Sequence, residues 1–292
     1  MLRYDEPLSR HTSFRIGGPA YCWIEPENPE GVLEAVLLAE NKGKPFIIVG
    51  KGTNFLFKDE GVDAVIIHLA KGFEKLEDEE GNKINSGAGL GVYKLVYFAA
   101  SKGFSGVEFL TGIPGDLGGA IFMNAGVRNP EDPDKFIEIK DIILDIEVLD
   151  LNDRKIKTLN RKDIDFKYRH SGLDRKIVLG ARFGLKKDEK QNIQKRITAF
   201  NKKRGWLTKI GFPNAGSVFK NPTPDKSAGM LIDACGLKGK RIGEAEISAA
   251  HANVIVNIGK AKAKDVLGLI DLARASVKQK FGIDLELEIK II

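Results

Sequence analysis

A chain of 292 residues that is 42% apolar and 29% charged can bury the core of one or two domains, which excludes a disordered or fibrous protein. Its 46 Lys and Arg against 40 Asp and Glu leave a charge of +6, but both signs are mixed along the chain, so the excess suits local anion sites and a phosphate-bearing ligand better than a nucleic-acid lattice. Two cysteines without metal-ligand spacing, four scattered histidines and no apolar run approaching about 18 residues argue against a disulfide framework, a metal site and a membrane span, and predict a soluble, cytoplasmic protein.

In chain order, Asn28 and Pro29 predict a helix start, and Val32, Leu33, Val36 and Leu37 then keep helical spacing to a stop at Gly43. Phe46 to Val49 reads as a short buried strand, followed by the turn Gly50-Lys51-Gly52-Thr53-Asn54 and a strand at Ala64 to Leu69. Val92, Leu95, Val96 and Ala99 mark a second helix ending at Lys102-Gly103, and Ile142 to Leu149 and Ile177 to Phe183 read as strands. The composition turns polar at Lys186 to Lys190, which predicts a hinge and the main domain boundary. Beyond it lie a helix with Ile193, Ile197 and Phe200 on one face, a Gly/Pro/Asn-rich loop over Gly211 to Asp225, and a helix near Ala228 to Cys235. A strand at Asn253 to Asn257, a long helix from Asp265 to Phe281 stopped by Gly282, and an alternating strand over Ile283 to Ile292 complete an α+β chain.

Chemistry is suggested first by the glycines. Two of them in the turn 50–54 point backbone N–H groups at one spot, as an anion such as a pyrophosphate would require, and Thr53 and Asn54 add side-chain donors. The turn fits neither the dinucleotide fingerprint nor the P-loop, so by itself it is equally an ordinary turn between strands. The second stretch is Thr111-Gly112-Ile113-Pro114-Gly115-Asp116-Leu117-Gly118-Gly119-Ala120, continuing through Asn124-Ala125-Gly126. Pro114 stiffens a loop that Gly112 and Gly115 let bend, Asp116 can cap a short helix, and Gly118 and Gly119 clear side chains from a place where something flat could lie. Together the two stretches predict a cradle for a planar, phosphate-bearing cofactor. Arg169 within Tyr168-Arg169-His170-Ser171 is either a solvated ion-pair partner or a guanidinium fork for a carboxylate. Ser217 lacks a nucleophile elbow and a triad, so its hydroxyl suits proton donation, beside the ammonium of Lys220 and the amide of Asn221. The alternation of Leu285 to Lys290 predicts an edge strand with Glu286, Glu288 and Lys290 in water.

These segments, together with His11 to Gly18 and His251 to Asn257, follow one another in an order that resembles the UDP-N-acetylenolpyruvoylglucosamine reductase family over nearly the whole chain. The resemblance implies an FAD-binding domain of the vanillyl-alcohol-oxidase type over 1–185, in two subdomains parted near 70, and a smaller α+β substrate domain over 186–284. A last strand, 285–292, would return to the FAD domain. It also implies FAD held by Gly50 to Asn54, Gly112 to Asp116, Gly118 to Ala120 and Asn124 to Gly126. NADPH would act as co-substrate, and hydride would pass through the flavin to the enolpyruvyl β-carbon of a UDP-sugar. Arg169 and Glu288 would polarise the substrate carboxylate, Ser217 would protonate the α-carbon, and Tyr168, Lys220 and Asn221 would contact the substrate. That assignment is chemically coherent, because hydride addition builds charge on the carboxylate, and donors fixed there bind it best in the transition state. Asp116 departs from the Ser or Thr common in the family, as do Thr208-Lys209 and Val254 from its usual residues. Only Ser171 to Lys176 separate the Arg169 motif from the next strand, too few for the tyrosine lid of one branch, so closure of the back domain or of Gly211 to Asp225 is expected instead. A monomer is expected. A flavin oxidase on the same fold is the competing enzyme class. A nucleic-acid reader using Lys195, Arg196, Lys202, Lys203 and Arg204 is disfavoured by the absence of interleaved aromatics.

Overall fold

The computed structural model describes every residue except Glu131, Pro133, Trp206 and Pro224. The last of these leaves the expected loop over 211–225 partly outside the described residues. Two compact units share the chain: Met1–Leu2, Ile24–Gly50 and Val65–Arg204 form the first, and Arg3–Trp23, Lys51–Ala64 and Gly205–Ile292 the second.

The first unit is built on a five-stranded antiparallel sheet in the order Lys155–Asn160, Ile143–Asp150, Lys176–Gly184, Lys83–Gly87, Leu76–Glu79. Gly81 and Asn82, at φ +78° and +59°, make the left-handed turn that joins the last two strands as a hairpin. Beside it, Phe46–Val49 runs parallel to residues 65–68, in register Phe46↔Val65 to Val49↔His68. The helix Pro29–Asn41 starts where Asn28 Oδ1 accepts the Gly31 N–H at 2.8 Å, as the Asn-Pro signal requires. The helix Val92–Ser101 buries Val92, Leu95, Val96 and Ala99 and ends before Gly103 at φ +69°.

The units divide the chain differently from the boundary expected at 186. Lys186–Lys187 pairs with Phe104–Ser105, and Arg196 of the helix Lys190–Lys203 donates to the buried Glu108 at 2.9 Å and to Asp188 at 2.5 Å. That helix packs on the turn Glu108–Leu110 and on the helix Val92–Ser101. The segment that reads as a hinge is tied down instead, since Asp188 pairs with Arg196 and Lys187 Nζ donates to the Lys102 carbonyl at 3.1 Å, and the units part after Arg204.

The second unit has an antiparallel sheet in the order Asn214–Ser217, Val254–Asn257, Ala245–Ile247, Arg241–Ile242. The helix Ala263–Phe281 packs on it with Val266, Leu269, Ile270, Ala273 and Val277 buried, and Gly282 ends it at φ +69°. Phe14, Ile16 and Leu56 complete this core from the front of the sequence. The final segment is not one continuous strand. Leu287 bridges Phe219, after which Lys290–Ile291 runs parallel to Phe55–Leu56. The chain changes partner midway, which interrupts the ladder that its alternation suggests. No helix among the described residues is long and apolar enough to cross a membrane.

Candidate active site

The two glycine stretches meet in the first unit at Gly50, where a Cβ would lie 3.0 Å from Asp116 Oδ2. Asp116 is buried at the head of the short helix Leu117–Phe122, yet its side chain makes no capping bond, against expectation. The reason is local: the Leu117 and Gly118 N–H groups donate to the Leu90 and Ala88 carbonyls at 2.9 and 2.8 Å, so the helix start is already satisfied by backbone. Gly118 is tight against Ala88, whereas a Cβ at Gly119 would meet nothing within 4 Å. Gly112 and Gly115 stand at φ +75° and +105° around Ile113 and Pro114. The Thr111 hydroxyl is buried without a hydrogen-bond partner, as is that of Ser171. Open space over Gly119 and an orphaned hydroxyl at Thr111 are what a large bound group would fill and satisfy.

Five of the expected cofactor residues are explained by the protein itself. In the second unit a Cβ at Gly52 would lie 2.2 Å from the His11 carbonyl, so that glycine serves packing against His11–Thr12. Asn54 Nδ2 donates to the Glu288 carbonyl at 3.2 Å, and its own carbonyl accepts the Lys290 N–H at 2.8 Å. Asn124, fully buried at φ +43°, bridges the Lys167 carbonyl and the Lys140 N–H. Next to it, Ala125 accepts from Ile139, and a Cβ at Gly126 would strike the Ile137 carbonyl at 2.5 Å. Lys51 is exposed, Thr53 is half-buried, and Ala120 is buried in the short helix.

Arg169 takes a left-handed φ of +56°, held by reciprocal backbone bonds between Lys167 and His170 at 2.8 and 3.1 Å. For a non-glycine residue that conformation is uncommon, and these turn bonds hold it. Its guanidinium lies 4.9 Å from the Tyr168 ring and 5.8 Å from that of Phe136, and Nη2 donates to the Gly126 carbonyl at 3.4 Å. Arg204, in the same unit, has its guanidinium pulled down to about 10 by burial and by the neighbouring Arg169. A cation held at such a cost by burial and a like charge makes an anion welcome.

In the second unit Ser217 ends a bulged strand. Asn214 and Ser217 oppose Val256 and Val254, so the strand carries one residue more than its partner, and Gly216 at φ +74° takes up the excess. On the other flank the Val218 carbonyl accepts the Glu288 N–H at 2.8 Å, and Lys220 N–H donates to Glu286 O at 2.9 Å. Ser217 and Glu288 therefore sit on paired segments. Glu288 is half-buried while Glu286 is exposed, which overturns the expectation that both face water. Lys220 pairs with the Glu286 carboxylate, and Asn221 Oδ1 accepts the Ala228 N–H at 3.1 Å at the start of the next helix. Each thus carries a structural bond besides the expected substrate contact. Sequence reading missed Arg204, weighed only as one cation of a disfavoured nucleic-acid reader, and Asn253, whose amide grips Phe219. The signal for Asn253 was there: an amide inside the apolar run Ala252 to Val256.

A glycine-lined cradle in a mixed α and β unit defines an FAD-binding protein, and residues 20–159 match the FAD binding domain family. Residues 208–292 match the UDP-N-acetylenolpyruvoylglucosamine reductase C-terminal domain. The chain is 38% identical to UDP-N-acetylenolpyruvoylglucosamine reductase of Petrotoga mobilis, over 99% of this chain and 94% of that one. With the same enzyme of Moorella thermoacetica the identity is 42%, over 98% and 92%. The crystal structure of that enzyme from Thermus caldophilus superposes with a TM-score of 0.85 at 36% identity, covering 100% of this chain and 99% of that one. A glucose dehydrogenase, Phl p 4.0202, shares the fold alone, with a TM-score of 0.50 at 13% identity over 65% of this chain and 42% of that one. The chain belongs to the UDP-N-acetylenolpyruvoylglucosamine reductase family.

Proposed function

We propose that the protein reduces UDP-N-acetylglucosamine enolpyruvate to UDP-N-acetylmuramate with NADPH, a step in peptidoglycan precursor synthesis. The observation that carries this reading is a likeness spanning both the FAD-binding and the C-terminal parts, at 38–42% identity over 98–99% of the chain. FAD, when bound, accepts hydride from NADPH and delivers it to the enolpyruvyl β-carbon. Its binding is supported by the open face of Gly119, the meeting of Gly50 with Asp116, and the buried Thr111 hydroxyl.

Arg169 and a Glu288 carboxyl that keeps its proton bind the substrate carboxylate, onto which charge moves as the β-carbon is reduced, so their donors gain strength where the barrier lies. Ser217 gives a proton to the α-carbon, restoring neutrality in the same addition. Arg204 adds fixed positive charge for the anionic substrate, and Tyr168, Lys220 and Asn221 contact it. Lys220 would exchange Glu286 for a substrate anion on binding. The protein works as a soluble cytoplasmic monomer without nucleic acid or membrane partners.

The purified protein should be yellow and, under nitrogen, should consume NADPH beyond one equivalent per flavin only when enolpyruvyl-UDP-N-acetylglucosamine is added. Oxygen-dependent turnover of an alcohol, with no enolpyruvyl-dependent NADPH consumption, would instead identify a flavin oxidase.

A further inference from the structure

Asn253 is buried within the second unit, and three of its polar groups converge on the two residues that follow Ser217. Its Nδ2 donates to the Phe219 carbonyl at 2.8 Å, its Oδ1 accepts the Phe219 N–H at 3.0 Å, and its main-chain carbonyl accepts the Val218 N–H at 2.8 Å. The side-chain amide thus acts as a strand residue. It extends the ladder past Val254, where the main chain turns back as the Val254 N–H donates to the His251 carbonyl at 3.0 Å. That extension matters because the strand leading to Ser217 is bulged, and a bulged strand has a neighbouring register within reach.

We propose that Asn253 is a positioning residue that fixes the Ser217 hydroxyl for proton transfer, an inference that rests on Ser217 being the proton donor. The grip reaches Glu288 as well, since the Val218 carbonyl accepts the Glu288 N–H at 2.8 Å. An amide suits the position because it offers one donor and one acceptor in a plane, matching the carbonyl and N–H of a single residue. A carboxylate of the same shape would set an oxygen against the Phe219 carbonyl. Protonated, it regains the donor and mimics the amide.

The test is Asn253→Asp in the holoenzyme, read by stopped flow for each half-reaction. Flavin reduction by NADPH should stay within about twofold of wild type, while reduction of the enolpyruvyl substrate should slow by about 10- to 100-fold, the scale of a misplaced catalytic group. Activity of the variant relative to wild type should recover as pH falls and the introduced carboxyl takes up its proton. The Phe219 amide should exchange faster at neutral pH, with or without bound FAD. Combined with Ser217→Ala, the substitution should add nothing to the loss that Ser217→Ala causes alone. Equal slowing of both half-reactions, additive loss in the double variant, or wild-type kinetics would overturn the proposal. If Asn253→Asp does not fold, Asn253→Ser is judged by the same kinetic and exchange criteria apart from the recovery at low pH. A Ser217→Ala enzyme with an unimpaired second half-reaction would instead remove the proton-donor reading itself.

Discussion

Side chains of the same type carry different burdens here, and their partners decide which. Arg182 and Arg196 have carboxylates at 2.5 Å, whereas Arg204 is buried beside the like-charged Arg169. Arg204 is therefore a cost to the ligand-free fold. A cation whose folded pKa lies below its unfolded value imposes nothing above the unfolded value. Its penalty grows as pH falls through the interval down to about 10 and is complete at neutral pH. Arg204→Met, which keeps the apolar stem, should raise unfolding stability at pH 7 by on the order of 1–3 kcal/mol in urea titrations of the apoprotein, while raising KM for the enolpyruvyl substrate. A less stable variant would mean that the guanidinium already has a sufficient anionic partner. Arg169 and Glu288 make a second residue-scale prediction, since acting on one carboxylate couples them. Arg169→Ala and Glu288→Ala should each cost about 2–4 kcal/mol in transition-state stabilisation, and the double variant clearly less than the sum. Additive losses in kcat/KM would separate their roles.

At the scale of elements, local signals were legible wherever the element closes on itself. The helix at 29–41 follows from its local cap and periodicity, the helix at 263–281 from its periodicity and the Gly282 stop, and the strands at 46–49 and 143–150 from their own apolar runs. The hairpin of Leu76–Glu79 was not legible, because an edge strand open to water can carry Glu77, Asp78 and Glu79 in succession and so shows no apolar alternation. The final segment misled for a related reason: its alternation suggests one partner, and it has two. Of the candidate site, Ser217 and Glu288 could be picked out in sequence, but the half-burial of Glu288 depends on pairing with residues about 70 positions earlier. Distance in sequence also hides the cap of the long helix. Asp59 accepts the N–H groups of Ala263 and Lys264 at 3.0 and 3.4 Å, a service usually done by the residue just before a helix. Asp59→Ala should lower unfolding stability by about 1 kcal/mol, with Asp59→Asn losing less because one acceptor remains. Urea titration checks this, and an unchanged midpoint for Asp59→Ala would mean that water caps the helix equally well.

At the scale of the whole molecule, the units do not coincide with contiguous stretches of chain. The family's C-terminal domain covers 208–292, but the second unit also needs Arg3–Trp23 and Lys51–Ala64. Those front segments supply Phe14, Ile16 and Leu56 to a core that includes Val218, Phe219, Val266 and Ile289, and all three are at most 2% exposed there. They also supply the strand Phe55–Leu56 that pairs with Lys290–Ile291, and the Asp59 cap. Removing three such side chains forfeits about 1.5–3 kcal/mol each in burial alone. The sum is comparable to the entire stability of an ordinary domain, about 5–15 kcal/mol. The fragment 205–292 should therefore not fold by itself. It should show weak near-ultraviolet circular dichroism, no cooperative urea transition and unprotected amides in Val254–Asn257. A cooperative transition in the isolated fragment would show that its core is sufficient without Phe14, Ile16 and Leu56. The same reasoning gives the loop 50–54 a second duty in folding. Through Asn54 it holds the Glu288 carbonyl and the Lys290 N–H, so the turn read from sequence as a cofactor cradle also anchors the C-terminal segment that carries Glu288.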